Sequence, residues 1–376
     1  MICLVFSHFR STPYNNYVLL ADAFVHGHVW ITWPGPYIDA LPYRGQHYII
    51  EAPAPALLLV PFVAVFGTGV NQTTLACILA GVATSAAWTV TVRIGVSRTA
   101  RIWLGAFFLL GTGLAWCAML GDVWFLALVA SVCFSMLALA EVVGQRRAWL
   151  VALWAVCAVE SRFSLVLALP IYAVLVMFGP GLGDGANLRT LRAKAAGFAA
   201  VLIPAALLWV WYNFARWGLP IDIGYTAWYH QDSAGMPTGS PFRFAYLPYQ
   251  LNSFFVQHPA FSRAFPWIVP SLSGVALTWT SPAFAYAFAG FAPKRLAAAM
   301  WVATILVAAP SLLYYVNGCA QYGMRHALDF MPFLFVLMAI AARNGIPVWA
   351  RALIAYSCVA WLYGMWYWNG VVRAGS

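Results

Sequence analysis

Long apolar stretches alternate with short polar ones along most of this chain. A helix needs about 20 apolar residues to cross the hydrocarbon core of a bilayer, and several of these stretches approach or exceed that length. The pattern predicts membrane helices near residues 72–96, 102–119, 123–143, 148–160, 163–180, 195–214, 268–290, 297–316, 327–342 and 346–368.

Three parts of the pattern are irregular. Residues 148–160 and 163–180 are short and meet at a Glu-Ser-Arg sequence, which predicts a broken pair of helices. Residues 53–67 contain several prolines, and their amphipathic pattern suits a helix in the membrane interface as well as a span. The expected fold is an all-α polytopic membrane protein with about 10–11 transmembrane helices.

The expected organisation is a single transmembrane domain over residues 1–376. Residues 1–9 are apolar but too short to span, and no signal-peptide pattern follows them, so we expect a truncated first helix. The domain then comprises an outer loop with interfacial helices at 10–67, helices at 72–214, a second outer loop at 215–267 and helices at 268–368.

Composition supports a membrane protein and excludes several other classes. Hydrophobic residues make up 63% of the chain and charged residues only 8%, whereas soluble domains carry about 25% charged residues. So apolar a chain is neither a soluble enzyme nor a disordered protein. The net charge of +10 does not indicate nucleic-acid binding, because the basic residues lie in short loops between apolar stretches.

When successive predicted helices cross the membrane in opposite directions, most basic residues fall on one side of it and most acidic residues on the other. Basic residues near helix ends indicate the cytoplasmic side of a membrane. We therefore expect an inner or plasma membrane protein of the cell envelope, with an outward-facing polar site. The basic side collects Arg93, Arg98, Arg101, Arg146, Arg147, Arg189, Arg192, Lys194, Lys294, Arg295, Arg343 and Arg351. The outer side collects Asp22, Asp39, Glu51, Asp122, Glu160, Asp222, Asp232 and Asp329.

The first outer loop is rich in groups that bind or transfer protons. It carries Asp22, Asp39, Arg44, His47 and Glu51 among many Trp and Tyr residues. The alternative interpretation is a solvated loop whose charges only keep it in water. The cysteines show no CxxC and no Cys/His ligand spacing, so a zinc site is not indicated, and a divalent metal ion stays an open question.

Polar residues elsewhere at the outer side have both structural and functional interpretations. Asp122 begins a helix, where an acid caps the free amides. Glu160 and Arg162 flank Ser161 between two short helices, where pairing with each other is the structural interpretation. Arg325 and Asp329 are spaced to pair along a helix. Arginine near the interface also suits a lipid phosphate. Gln321 and Tyr322 lie beside the late arginine.

Several segments together resemble the multi-spanning glycosyltransferases of the GT-C fold, particularly bacterial relatives of the protein O-mannosyltransferases and aminoarabinose transferases. The similar segments are YNNYVLLADAFVHG at 14–27, GQHYIIEAPAPALLLVPF at 45–62, Asp122 with its helix, YNFARWGLPIDIGY at 212–225 and QYGMRHALDFMPF at 321–333. The resemblance covers most of the chain and is loose.

The resemblance implies transfer of a sugar from a polyprenyl-phosphate donor to an acceptor outside the cytoplasm. Members of these families open the first loop with an Asp-Glu pair whose Asp is the catalytic base, and Asn15 and Asn16 stand at those positions here. An amide does not take up the acceptor's proton. Asp22 and Asp39 are nearby substitutes, and Asp122 matches the second acid of the family.

The same resemblance gives a set of substrate-binding candidates and leaves two other functions open. The candidates are Asn15, Asn16, Arg44, His47, Glu51, Arg162, Gln321, Tyr322 and Arg325. The partners expected are a polyprenyl-phosphate-linked sugar, the bilayer and an acceptor of unknown class, with no nucleic acid. A transporter or lipid flippase, and a non-catalytic lipid-binding membrane protein, are the alternatives.

Overall fold

In the computed structural model, which describes residues 1–181, 187–232 and 239–372, the chain is mostly helical. Six helices of the described ranges are long and apolar enough to cross a membrane, and a pair bent by 44° gives a seventh span if it is counted as one. The protein is therefore an all-α polytopic membrane protein. The six candidates are Gln72–Ile94, Val123–Val142, Leu188–Trp217, Lys294–Leu312, Ala327–Asn344 and Val348–Val372.

The helices are numbered in chain order. The first nine are α1 (Ile2–Phe6), α2 (Asn16–Val25), α3 (Ala54–Phe66), α4 (Gln72–Ile94), α5 (Arg98–Leu110), α6 (Gly113–Leu120), α7 (Val123–Val142), α8 (Ala148–Val159) and α9 (Leu169–Phe178). The others are α10 (Leu188–Trp217), α11 (Gly224–Asp232), α12 (Leu247–Phe255), α13 (Leu277–Thr280), α14 (Lys294–Leu312), α15 (Ala327–Ala341) and α16 (Val348–Tyr367).

In the described ranges, three small two-stranded sheets lie in the loops between helices. The hairpins β1–β2 and β3–β4 are antiparallel, and β5 pairs in parallel with β6, which precedes α15. The strands are β1 (Leu41–Tyr43), β2 (Gln46–Tyr48), β3 (Ala260–Phe261), β4 (Ile268–Val269), β5 (Ser273–Val275) and β6 (Gln321–Gly323).

The number of full-length spans is smaller than the apolar pattern predicts. Residues 268–290, expected as one membrane helix, instead form β4, β5, the single turn α13 and a 3₁₀ segment at Pro282–Ala289. Pro282 has no backbone N–H, so it cannot continue the hydrogen-bond ladder of α13. The broken pair predicted around Glu160 is observed, with α8 ending at Val159 and a 3₁₀ turn at Phe163–Ala168 leading into α9.

Burial differs sharply between the spanning helices. In α7 almost every residue is buried, so this helix is the centre of the bundle. In α10 the buried residues are confined to Phe198 and to the last turns, and leucines such as Leu207 and Leu208 are 64% exposed. An apolar helix with an exposed surface of this kind faces lipid rather than water. The α10 surface therefore belongs to the membrane-facing side of the protein.

Hydrogen bonds show which helix ends lie at the same end of the bundle. At one end, which we call the basic end, Arg93 donates to the Ala140 carbonyl and Lys194 donates to the Val176 carbonyl at 2.9 Å. At the other, which we call the acidic end, Gln72 at the start of α4 donates to the Gly121 carbonyl at 2.7 Å. These contacts define two ends of one helix bundle, and the side of the membrane that each end faces stays a prediction.

Candidate functional site

One cleft at the acidic end brings together charged residues from distant parts of the chain. The backbone N–H of Ala54 donates to the Glu160 carbonyl at 2.8 Å, which joins the start of α3 to the break after α8. We call this space the Glu51 cleft. Its lining residues are Ile50, Glu51, Ala52, Pro53, Ala127, Val159, Glu160, Ser161, Arg162, Phe163, Trp209, Tyr212, Arg216, Asp222 and Tyr225.

Glu51 is the most unusual acid of the cleft. Its side chain is buried, and its Oε2 atom has no hydrogen-bond partner among the described residues. Burial, together with the negative charge of Asp39, raises the pKa of the Glu51 carboxyl to about 7, against the opposing charges of Arg162 and Arg325. A carboxyl with a pKa near neutrality is suited to general acid–base work.

A second carboxyl of the cleft has a similarly shifted pKa. Burial raises the pKa of Glu160 to about 7, with the charge of Arg216 opposing the rise and that of Asp222 adding to it. Arg216 lies 3.4 Å from Asp222 and also donates to Asn213 at 2.8 Å. Its guanidinium lies over the ring of Tyr212 at 4.1 Å. This cation is therefore already held by protein groups on two sides.

Arg162 is fixed by a bidentate ion pair with a helix on the other side of the bundle. Its Nε and Nη2 atoms donate to the Asp329 carboxylate at 3.1 and 2.9 Å, and Nη2 also donates to His326 at 3.3 Å. Ser164 donates to the same carboxylate at 3.1 Å. These contacts use two of the three guanidinium nitrogens, so Nη1 is the atom that Arg162 can offer to a ligand in the cleft.

Arg325 lies near this network without a carboxylate within ion-pair distance among the described residues. Its guanidinium lies 5.4 Å from the ring centre of Phe125 and 5.9 Å from that of Trp124, and its Nε atom has no hydrogen-bond partner in the described part of the chain. Burial lowers the pKa of Arg325 to about 10, so the group stays positively charged at neutral pH. A half-buried cation without an ion-pair partner among the described residues favours an anionic ligand.

The three acids predicted to act in catalysis occupy other positions. Asp22 lies on α2, where its carboxylate is 3.7 Å from His26. Asp122 occupies the N-cap position of α7, but its carboxylate makes no capping hydrogen bond to the helix and instead accepts one from Thr12. Asp39 is half-buried and acts electrostatically on Glu51. None of the three lines the Glu51 cleft. The expectation that Asp22 or Asp39 shares one cavity with Asp122 is therefore not met by this cleft.

The predicted binding residues divide into those at the cleft and those elsewhere. Glu51 and Arg162 line it, and Arg325 acts on Glu51 through its charge. The other six lie elsewhere. In the first loop, Asn15 precedes α2, Asn16 donates to the Asp39 carbonyl at 3.0 Å, exposed Arg44 lies over Tyr43 at 5.2 Å, and His47 stacks on Trp33 at 4.9 Å. In β6, Gln321 donates to the Ser273 and Asn317 carbonyls at 2.8 Å, and Tyr322 donates to the Ala360 carbonyl at 2.7 Å.

Three charged residues of the cleft, Glu160, Arg216 and Asp222, were not among the predicted site residues. Arg216 and Asp222 both lie in the segment YNFARWGLPIDIGY, which carried part of the resemblance. An arginine in the last turn of an apolar span was the available signal, because ionisable groups at such positions usually face a partner or a cavity. The side chain of Asp232, another acid of the predicted outer side, lies outside the part of the chain that the structure describes.

Metal binding was left open by the sequence. Among the described residues, no three His, Cys, Asp or Glu side chains are arranged to hold a metal ion. The charged groups that line the Glu51 cleft are three carboxyls, of Glu51, Glu160 and Asp222, and two guanidinium groups, of Arg162 and Arg216. The guanidinium groups supply only N–H donors, which suit an anion.

Comparison with known proteins does not assign the chain to a family. No family model, no curated protein and no solved structure matches it.

Proposed function

We propose that this chain is a membrane glycosyltransferase that transfers a sugar from a polyprenyl-phosphate donor to an acceptor outside the cytoplasm. The observation that carries the proposal is the Glu51 cleft, where a buried carboxyl with a pKa near 7 lies beside fixed guanidinium groups. It lies at one end of a membrane bundle, beside the lipid-facing helix α10. The resemblance to GT-C enzymes supplies the reaction class.

The cleft contains the two kinds of group that such a transfer needs. In this proposal Glu51 takes the proton of the acceptor hydroxyl, and the oxygen of that hydroxyl forms a bond to the anomeric carbon of the sugar. The bond between that carbon and the phosphate oxygen breaks, and its electron pair leaves with the polyprenyl phosphate. Arg162 through Nη1, and Arg325 through its unpaired charge, stabilise the phosphate.

The mouth of the cleft fits a donor with a lipid tail. Phe163 and Trp209 both line the cleft, and their rings stack at 5.7 Å with an interplanar angle of 13°. Phe163 is 51% exposed, and Trp209 belongs to α10, whose surface faces lipid. An isoprenoid chain in the membrane thus has an apolar path to the charged groups. This arrangement supports a lipid-linked donor over a soluble sugar nucleotide.

A binding and transfer assay with the purified protein tests the proposal. The protein in lipid nanodiscs is incubated with a polyprenyl monophosphate, and binding is measured by native mass spectrometry for the wild type and for Arg325→Gln. The wild type should bind the lipid phosphate more strongly than Arg325→Gln does. Given a panel of polyprenyl-phosphate sugars and a mixture of acceptors with free hydroxyl groups, it should release free polyprenyl phosphate as the sugar passes to a hydroxyl. Binding without turnover of any donor would favour the non-catalytic alternative, and no binding would contradict both.

Transfer should depend on pH through Glu51. The rate is expected to rise as the pH increases through about 7 and to level off above it, because only the ionised carboxylate accepts a proton. Since the charge of Asp39 raises the Glu51 pKa, the variant Asp39→Asn should move the midpoint of the profile to lower pH. Initial rates measured from pH 5 to 9 test both expectations. An unchanged midpoint in this variant would argue against Glu51 as the base.

The acidic end is proposed to face away from the cytoplasm. Cys319 lies at this end, between Asn317 and β6, and is the one cysteine of the described residues that is exposed rather than buried or half-buried. A membrane-impermeant maleimide should therefore label Cys319 in intact cells. In a Cys319→Ser background, Arg147→Cys at the basic end should be labelled only after permeabilisation. The reverse labelling pattern would place the Glu51 cleft in the cytoplasm and overturn the proposed reaction.

A further inference from the structure

The hairpin β3–β4 presents large apolar side chains that the described part of the protein leaves uncovered. Phe261, Phe265 and Trp267 are 67%, 63% and 60% exposed, and Ile268 is 39% exposed. Arg263 is the only charged residue between the two strands. Aromatic groups so exposed are unfavourable in water, and such a contiguous patch marks a surface that meets lipid or another protein.

The backbone of this hairpin is arranged as a lipid environment requires. Ser262 donates to the Trp267 carbonyl at 2.7 Å, Trp267 donates to the Ala264 carbonyl at 2.9 Å, and Ala264 donates to the Ser262 hydroxyl at 3.1 Å. Pro266 has no backbone N–H to satisfy. Because polar backbone groups in contact with hydrocarbon must be bonded internally, a tip with most donors used in this way tolerates the bilayer boundary.

The hairpin continues the lipid-facing surface of a spanning helix. Tyr363 of α16 donates to the Pro266 carbonyl at 3.3 Å and also to the Ile268 carbonyl, and the Phe265 ring lies 5.7 Å from that of Trp366. On α16, Val359, Leu362 and Trp366 are exposed, and their helical spacing forms one apolar stripe. The aromatic tip therefore lies at the end of a surface that already faces the membrane.

We propose that the tip of this hairpin, residues 261–268, inserts into the bilayer interface at the acidic end and binds lipid there. Phe261, Phe265 and Trp267 enter the boundary between headgroups and acyl chains, which is where Trp and other aromatic side chains concentrate. Arg263 extends from the same tip toward the lipid phosphates. The continuity with α16 favours lipid over a protein partner. This inference does not depend on the proposed reaction.

An environment-sensitive fluorophore at the tip tests the insertion. Phe265→Cys is made in the Cys319→Ser background, labelled with an NBD group and reconstituted into vesicles of neutral and anionic phospholipid. Two control positions are labelled in the same way: Leu362→Cys on the lipid-facing stripe and Thr226→Cys on the exposed surface of α11. The emission of the label at 265 should shift to shorter wavelength, as at 362, and doxyl-labelled lipids should quench it.

Quenchers in water and in lipid separate the outcomes. The proposal expects the label at 265 to be protected from aqueous iodide and quenched by doxyl groups attached near the headgroup. Strong iodide quenching without doxyl quenching, as expected at 226, would overturn it. Protection from both quenchers would mean that protein covers the tip, and this would also overturn it. Phe261→Cys repeats the measurement at a second position, so that one perturbed label does not decide the result.

Discussion

The Glu51→Gln variant should lose transfer activity by about 10²–10⁴-fold while it keeps its affinity for the polyprenyl-phosphate donor. The amide has nearly the shape of the carboxyl but does not accept the acceptor's proton. The donor phosphate is held by guanidinium groups in the proposal, so removing the carboxyl leaves that contact in place. Transfer rates and donor dissociation constants, measured on the same nanodisc preparation, check the two parts of this expectation.

The Asp22→Asn variant distinguishes the base proposed in the cleft from Asp22, which the sequence analysis named as a substitute for the base of the GT-C enzymes. Asp22 lies on α2, its side chain is 38% exposed, and it does not line the cleft. With Glu51 as base, Asp22→Asn should transfer sugar at close to the wild-type rate. Loss of transfer in Asp22→Asn together with retained transfer in Glu51→Gln would reverse the assignment. Equal loss of donor binding in both variants would indicate a structural effect instead.

The Asp329→Ala variant should be destabilised by about 3–5 kcal/mol, because it leaves a guanidinium without its partner inside the bundle. The Asp329 side chain is fully buried and that of Arg162 is 20% exposed, so water compensates the lost ion pair poorly. The double variant Arg162→Met with Asp329→Leu should recover much of this loss, since it removes both charges. Unfolding by titration with sodium dodecyl sulfate in mixed micelles measures the differences.

A matched control for this ion pair exists at the basic end. Glu141 and Arg147 also form a bidentate pair, at 2.9 and 3.0 Å, but the Arg147 side chain is 47% exposed. Glu141→Gln should therefore cost about 1 kcal/mol or less, because water solvates the arginine that remains. A similar loss in Asp329→Ala and Glu141→Gln would show that burial of the Arg162 pair contributes little to stability.

The apolar pattern determined the class of the protein and several of its helices. α4, α7, α14, α15 and α16 lie within or close to predicted segments, because a run of about 20 apolar residues in a bilayer has few alternatives to a helix. The broken pair around Glu160 was also predicted, since charged residues interrupt an apolar helix. The strands and turns at residues 268–290 were not predicted, because an apolar run with Gly, Ser and Pro fits strands and turns as well as a span.

The ion pairs show what sequence spacing alone leaves undecided. Glu160 and Arg162 are two residues apart, and Arg325 and Asp329 are four apart, so local pairing was expected in each case. In the structure Arg162 pairs instead with Asp329, 167 positions away, and Arg325 is left without an ion pair among the described residues. Local spacing identifies neighbours on one helix, but the packing of α15 beside the α8 break selects the actual partner.

The candidate base shows the same division between sequence and tertiary structure. The sequence by itself predicted that most acids lie on one side of the membrane, with arginines among them. Which acid has a raised pKa was decided by the fold, because burial and neighbouring charges are properties of the assembled cleft. Asp22 stays half-exposed on its helix, whereas Glu51 is enclosed by α10, the α8 break and the start of α3. The sequence says where the carboxyl groups are in the chain, but the elements packed around each carboxyl set its pKa and therefore its charge.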